Sequence, residues 1–317
     1  MSRDRIFQAI LFVSLALNLT LGIFITHKYT KKDFYSQADE KSAHYPLLSK
    51  RIFIENQNDI IINFIPLREA MRKYVGAIPE PLGIYFEYLP SGTSIGVNDR
   101  NEFAIASLIK IPLAMAVYKQ IDNSKLKKDT VLTMEDEDMD IGFGTLWQEG
   151  AGSTFTVEHL LHKLLIDSDN TASKMLRKIV KESEIKKVFD SLDINIESKD
   201  GTIRISPKSY SSVLRSLYLS SYLSRDSSHE ILSILTQTNF SDKIVAGIPK
   251  DVDVAHKIGI WDLDKDEGIV YSDCGIVYVP KRPYMLCIMT KTSDQKAKKY
   301  MSHISNMIFS YITRIKS

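Results

Sequence analysis

From Ile6 to Thr26 the chain runs for 21 residues without a charge, IFQAILFVSLALNLTLGIFIT. About 20 such residues cross the hydrocarbon core of a bilayer as a helix, and a lone segment satisfies its backbone there only as a helix. A secretory leader has a shorter apolar region and a small-x-small cleavage site. Here Gly22 is followed by Ile23, Phe24 and Ile25, and the two cysteines of the chain lie far downstream, so no lipid attachment site follows. An uncleaved membrane anchor over 6–26, behind a short tail at 1–5, is the expectation. Charge does not orient it: Arg3 and Arg5, offset by Asp4, precede the span, and Lys28, Lys31 and Lys32 follow it.

Residues 27–58 are polar and of mixed charge and read as a tether, and from about residue 59 to 317 the apolar density is that of a folded domain. Lys and Arg number 41 against 39 acids, a net charge of +2, which argues against a protein-wide nucleic-acid surface. Fourteen glycines and ten prolines exclude a collagen-like chain, and two cysteines cannot form a disulfide scaffold or a four-thiolate zinc site. Glu158-His159-x-x-His162 has the wrong order and spacing for a zinc helix, so no metal is expected there. The acidic run Glu135–Asp140 reads as a solvated loop.

Periodicity predicts a helix over Pro66–Val75, then strands Gly83–Leu89 and Thr93–Val97 joined by Pro90-Ser91-Gly92 as a hairpin. A long apolar helix follows over Ala106–Ile121. Residues 123–205 are mostly helical, with helices at Val157–Leu165, Thr171–Val180 and Glu184–Leu192. Further helices run from Ser206-Pro207 to about Leu223 and over Ser228–Thr236. Strands Val254–Ile260, Gly268–Val279 and Tyr284–Lys291 and a helix over Lys298–Ile315 close the chain. Strands from both ends would share one antiparallel sheet, with a helical block of about 122–206 inserted: an α+β, three-layer arrangement. Centring the last hairpin on Lys281-Arg282 makes Cys274 and Cys287 diagonal neighbours on one face, and two buried free thiols are expected, with a bridge as the alternative.

Three short words stand out. In Ser107-Leu108-Ile109-Lys110 the spacing sets the hydroxyl and the amine on one helix face, one turn apart. Serine is a poor nucleophile until a base takes its proton, and a lysine serves as that base only when burial or nearby positive charge lowers its proton affinity. The neighbours Ile105, Ile109, Ile111 and Pro112 can desolvate Lys110. Ser168-Asp169-Asn170 precedes a helix and, taken alone, reads as its N-cap. Lys257-Ile258-Gly259 lies within a strand, where the glycine alone reads as a bulge. His256 beside it is either a site residue or an ordinary strand histidine, and Trp147 with its flanking glycines is a candidate substrate-side loop.

Together, S-x-x-K, S-D-N and K-x-G in this order resemble the signature of penicillin-recognising serine enzymes. ASLIKIPLAMAVYKQI is similar to the nucleophile helix of class A β-lactamases, FTVEHLLHKLLIDSDNTASKML to their S-D-N helix, and HKIGI with YSDCGIVYVPKRPYMLCIMTK to their last hairpin. The resemblance runs from about Asn63 to Ile315. It implies a β-lactamase/transpeptidase-like three-layer αβα sandwich, with a five-stranded antiparallel sheet and an all-helical subdomain. It makes Ser107 the acylated nucleophile and Lys110 its base. Ser168 becomes the proton shuttle to the leaving nitrogen, near Lys257, which attracts the substrate carboxylate. Asn170 would bind the substrate's amide, and the N–H groups of Ser107 and Ile260, beside Gly259, would form the oxyanion hole. No cofactor is implied.

Two departures from the family qualify this. Ile258 stands where the family has Thr or Ser, and a missing charge-assisted hydrogen bond costs about 1.5–3 kcal/mol of binding. The stretch before Ser206 lacks the E-x-x-L-N segment that activates the deacylating water, and Glu197 is the remaining candidate base. The resemblance therefore implies a penicillin-binding, D,D-peptidase-like enzyme rather than an efficient β-lactamase. The alternatives are a class A-like β-lactamase or a catalytically silent cell-wall-binding homologue. The implied partners are a β-lactam or a peptidoglycan stem peptide and, through the anchor, the membrane, with the catalytic domain outside the cytoplasm.

Overall fold

The computed structural model describes residues 46–47, 62–196, 198–199, 201–262 and 268–314. The expected anchor, most of the tether and Glu197 lie outside the described residues. Among those described, no helix is long and apolar enough to cross a membrane.

In chain order the chain forms α1 (Ile65–Gly76), β1 (Leu82–Tyr88), β2 (Thr93–Val97), β3 (Phe103–Ala104) and α2 (Lys110–Asp122). Next come β4 (Val131–Thr133), β5 (Thr154–Thr156), α3 (Val157–Ile166), α4 (Asn170–Ile179) and α5 (Glu182–Asp190). Then follow β6 (Ser198–Lys199), β7 (Thr202–Ile205), α6 (Pro207–Leu219) and α7 (Arg225–Leu235). The chain closes with β8 (Val254–Asp262), β9 (Ile269–Val277), β10 (Tyr284–Lys291) and α8 (Asp294–Arg314). Side-chain caps fix several helix starts: Thr156, Asp169, Ser206 and Ser224 accept from the backbone N–H groups of His159, Ala172, Ser209 and Ser227.

The principal sheet has the order β2-β1-β10-β9-β8, so strands from the two ends of the sequence meet at β1 and β10 and β8 is an edge. Alternation gives each face its own partner. Ile84, Phe86, Leu286 and Ile288 point into a cluster with Leu67 and Met71 of α1 and Met301 and Ile304 of α8. On the other face Arg215 of α6 reaches Tyr85 and the buried Glu87. The result is the expected three layers. The block from 122 to 206 is not wholly helical: β4 pairs with β5, and β3, β7 and β6 form a small sheet of their own. These strands are two to four residues long, too short for alternation to mark them in sequence.

The structure also overturns the expectation of two free thiols, because Cys274 and Cys287 form a disulfide. Arg282 N–H donates to the Val279 carbonyl, and Lys281 takes a left-handed φ of 62°. This centres the hairpin one residue earlier than expected and sets Cys274 opposite Cys287. Sulfurs on facing residues are within bonding reach. Replacing both cysteines by alanine is expected to lower stability in urea by about 3 kcal/mol. Denatured, unreduced protein should titrate no thiol, and two thiols per chain would show the bridge does not form.

Candidate active site

Ala106, at φ 48°, turns the chain out of β3 into a single 3-10 turn over Ala106–Ile109, and α2 begins at Lys110. The expected single helix is thus broken at the nucleophile word. A left-handed alanine costs about 1 kcal/mol or more, and such positions cluster at working sites. Ser107 is left half-buried at the surface of the turn, whose first residues have no side-chain cap. Tyr210, from α6, donates to the Leu108 carbonyl at 2.9 Å and supports the turn from behind.

Strand β8 lies against this turn because Gly259 has no side chain. An added Cβ would lie 3.3 Å from Ala106 Cβ, Ile105 O and Leu108 Cγ. Lys257, two residues earlier, points to the same face and is buried. Its Nζ donates to the Ile258 carbonyl at 3.3 Å and lies 5.8 Å from the Phe240 ring centre. Burial, together with the positive charge of Lys110, pushes the Lys257 amine well below its ordinary range. Ile258 is buried on the opposite face, where the alternation also places His256. His256 Nδ1 meets Asp273 Oδ1 at 2.7 Å in a buried pair, so it is a strand histidine rather than a cleft residue.

The S-D-N word closes the other wall. Ser168 joins α3 to α4 in a left-handed conformation, φ 55°, and is buried. Lys110 Nζ donates to the Ser168 carbonyl, to Ser168 Oγ at 3.3 Å and to Asn170 Oδ1 at 2.6 Å. All three ammonium hydrogens are therefore engaged. Burial lowers the proton affinity of Lys110, and Arg177 adds to this while the Asp169 and Asp140 carboxylates oppose it; the amine settles at about 8. Asp169, fully buried, accepts from Ala172 N–H and Leu146 N–H, each at 2.9 Å.

Ser107, Lys110, Ser168, Asn170, Lys257 and Gly259 thus line one cleft between the 3-10 turn, the start of α4 and the edge strand. Ile260 continues that edge. Three features of the cleft escaped sequence reasoning. Asp140 accepts from Asn170 Nδ2 at 3.0 Å, and Asp138 is buried beside Lys178. The acidic run is therefore partly structural rather than simply solvated: its 3-10 turn over Asp136–Asp138 buries the Asp138 carboxylate. Phe143 lies beside Asn170: its carbonyl accepts from Asn170 N–H and its ring lies 6.3 Å from Phe240. Finally, Ile203 of β7 accepts from Ile105 N–H at 2.9 Å, two residues before Ser107. Among the described residues, no group of three or more His, Cys, Asp or Glu side chains is arranged to hold a metal ion.

The model of the β-lactamase enzyme family matches residues 66–312. In sequence the chain is similar to the β-lactamase VEB-1 of Pseudomonas aeruginosa, 22% identical over 244 residues that cover 69% of this chain and 81% of that protein. In structure it is similar to PBP-A, at 26% identity and a TM-score of 0.71 over 79% of this chain and 97% of that one. A point mutant of PBP-A is known as an acyl-enzyme complex with penicillin G, and matches at 25% identity with a TM-score of 0.72. The β-lactamase of Sphaerobacter thermophilus shares the fold, at 21% identity and a TM-score of 0.72 over 81% of this chain and all of that one. With the family model spanning most of the sequence and the cleft assembled from the same three words, the chain belongs to the β-lactamase enzyme family.

Proposed function

We propose that the protein is a membrane-anchored serine acyl enzyme whose catalytic domain works outside the cytoplasm, with penicillin-binding, D,D-peptidase-like behaviour rather than efficient β-lactam destruction. The observation that carries this reading is the convergence of Lys110 on Ser168 and Asn170 beside the turn that bears Ser107. The amine is held at about 8, so roughly one molecule in ten has it neutral at pH 7. Neutral Lys110 has a lone pair to take the Ser107 hydroxyl proton directly or through water.

Ser107 Oγ then attacks the carbonyl carbon of a β-lactam or stem-peptide amide. Negative charge develops on the carbonyl oxygen, which the N–H groups of Ser107 and Ile260 stabilise. As the C–N bond breaks, Ser168 passes a proton to the leaving nitrogen, replenished from Lys110. A substrate carboxylate beside Lys257 would restore the charge that burial disfavours. Asn170 offers its second amide hydrogen to the carbonyl of the substrate's side-chain amide.

The sequence favours slow release of the acyl group, because the stretch before Ser206 lacks the E-x-x-L-N segment. Ile258 supplies no hydroxyl for the substrate carboxylate, which weakens binding rather than release. PBP-A, similar in fold, is known as a penicillin G acyl-enzyme in mutant form, which is the behaviour proposed here. The sequence relatives are named as β-lactamases, and that alternative predicts fast turnover.

Intact-mass measurement after exposure to penicillin G tests the reading. The expected result is a long-lived single adduct that maps to the peptide containing Ser107 and is absent in Ser107→Ala. Fast nitrocefin hydrolysis without a lasting adduct would establish the β-lactamase alternative. Absence of any adduct or turnover would leave a silent binding homologue.

A further inference from the structure

We propose that Asp140 is a positioning residue: it fixes the Asn170 amide with its oxygen on Lys110, and its charge balance with Lys174 sets the field that Lys110 feels. The inference deepens the acyl-enzyme reading and rests on it only for its kinetic consequence.

An amide side chain can sit either way round, and here the chemistry of its neighbours decides. The Asp140 carboxylate only accepts, so the group 3.0 Å from its Oδ1 is the Asn170 NH2. Protonated Lys110 only donates, so the group 2.6 Å from its Nζ is the Asn170 oxygen. Once Lys110 loses its proton, the amine can accept as well as donate and no longer dictates that orientation. Asp140 still does. It keeps the amide oxygen toward the base and leaves the second N–H of Asn170 for a ligand.

Asp140 is itself built in. Its other contacts are Gly142 N–H on Oδ1 at 3.0 Å, Lys174 Nζ at 3.3 Å from Oδ2, and its own N–H on Thr171 Oγ1 at 3.0 Å. Asn170, Thr171 and Lys174 all belong to the first turns of α4, so one carboxylate clamps the preceding loop onto the helix that carries Asn170. Burial works against the Asp140 charge, but the hydrogen bonds from Asn170, Gly142 and Lys174 outweigh it and hold the carboxyl below its usual value. It is therefore anionic wherever Lys110 titrates.

The charged groups that act on Lys110 come from two elements. Asp169 and Arg177 lie at the start of or on α4, and Asp140 on the loop between β4 and β5. The Lys257 amine on β8 feels the Lys110 charge but is itself driven toward its neutral form. Asp140 and Asp169 favour the protonated Lys110 amine, whereas Arg177 opposes it. Removing the Asp140 charge should make Lys110 easier to deprotonate. Removing Lys174, which partly neutralises Asp140, should do the reverse.

The titration of Lys110 can be followed directly by NMR on protein with isotopically labelled lysines, using Lys110→Arg to assign the resonance. Asp140→Asn, which keeps the shape, should lower the midpoint by roughly half to one pH unit. Lys174→Met should raise it by a smaller amount. Disruption of the fold would move both variants in the same direction, so opposite shifts mark the electrostatic role. An unchanged midpoint in Asp140→Asn, or shifts of the same sign, would overturn the inference. The acid limb of the penicillin acylation rate should follow these midpoints. If the wild-type protein is never acylated, the acyl-enzyme reading fails while the lysine titration still decides the role of Asp140.

Discussion

Lys110→Met is expected to slow acylation of Ser107 by about a thousand-fold, the scale of a lost general base. Methionine matches the length of the lysine stem and leaves the serine without a proton acceptor. The same variant should also change how stability depends on pH. The folded amine titrates at about 8, below its ordinary 10.5. Between those values the unfolded chain binds more protons than the folded one, so wild-type stability rises with pH across that window. The rise amounts to about 3 kcal/mol for this group and is complete near pH 10.5. At pH 7 the variant escapes the cost of a buried charge but leaves the Ser168 carbonyl and Asn170 Oδ1 without their donor, and these effects nearly offset. Urea unfolding from pH 7 to 10.5 should therefore show wild-type stability climbing relative to Lys110→Met. Parallel curves would mean the amine is not desolvated in the fold.

Asp169→Ala should be the most damaging single change in the cleft, at about 3 kcal/mol. Its two oxygens satisfy two separate backbone donors, Ala172 N–H at the start of α4 and Leu146 N–H on the adjoining loop. Loss of the cap costs about 1 kcal/mol, and a second buried N–H without an acceptor adds about 1–3 kcal/mol. Nothing else can enter the space cheaply: Gly144 packs so tightly there, at φ 86°, that any Cβ would overlap the carboxylate. Asp169→Asn keeps one acceptor and turns an NH2 toward the other donor, so about half of the loss should remain. Chemical denaturation at pH 7 measures both. An alanine variant within about 0.5 kcal/mol of wild type would contradict the double anchoring of α4.

The two Asp predictions bear on what the sequence revealed. Asp169 was readable as an N-cap from its place before a helix, and Ser107, Lys110, Ser168, Asn170, Lys257 and Gly259 from three words in a recognisable order. The five long strands carried the β-branched and aromatic runs that local pattern detects, and their grouping into one antiparallel sheet followed. Asp140 was not readable. Its meeting with Asn170 joins a loop to the start of a helix 30 residues away, and no periodicity relates them. The Phe143–Phe240 contact and the Ile203–Ile105 hydrogen bond were hidden for the same reason. The facing cysteines turned on a one-residue shift of one turn: Pro280-Lys281-Arg282-Pro283 admits two centres, and the left-handed backbone at Lys281 chose between them.

That one-residue shift carries a consequence for cell biology. A sulfur–sulfur bond sealed inside a sheet closes while the chain still exposes those strands, and only where the surroundings are oxidising. Cys274 sits directly across from Lys257, so the covalent tie lies one strand behind the wall of the cleft. Chains that matured on the reducing side of the membrane would carry two thiols there, and those that crossed it would carry none. The oxidation state of this pair, read from protein taken straight from cells, therefore records the address at which the enzyme folded.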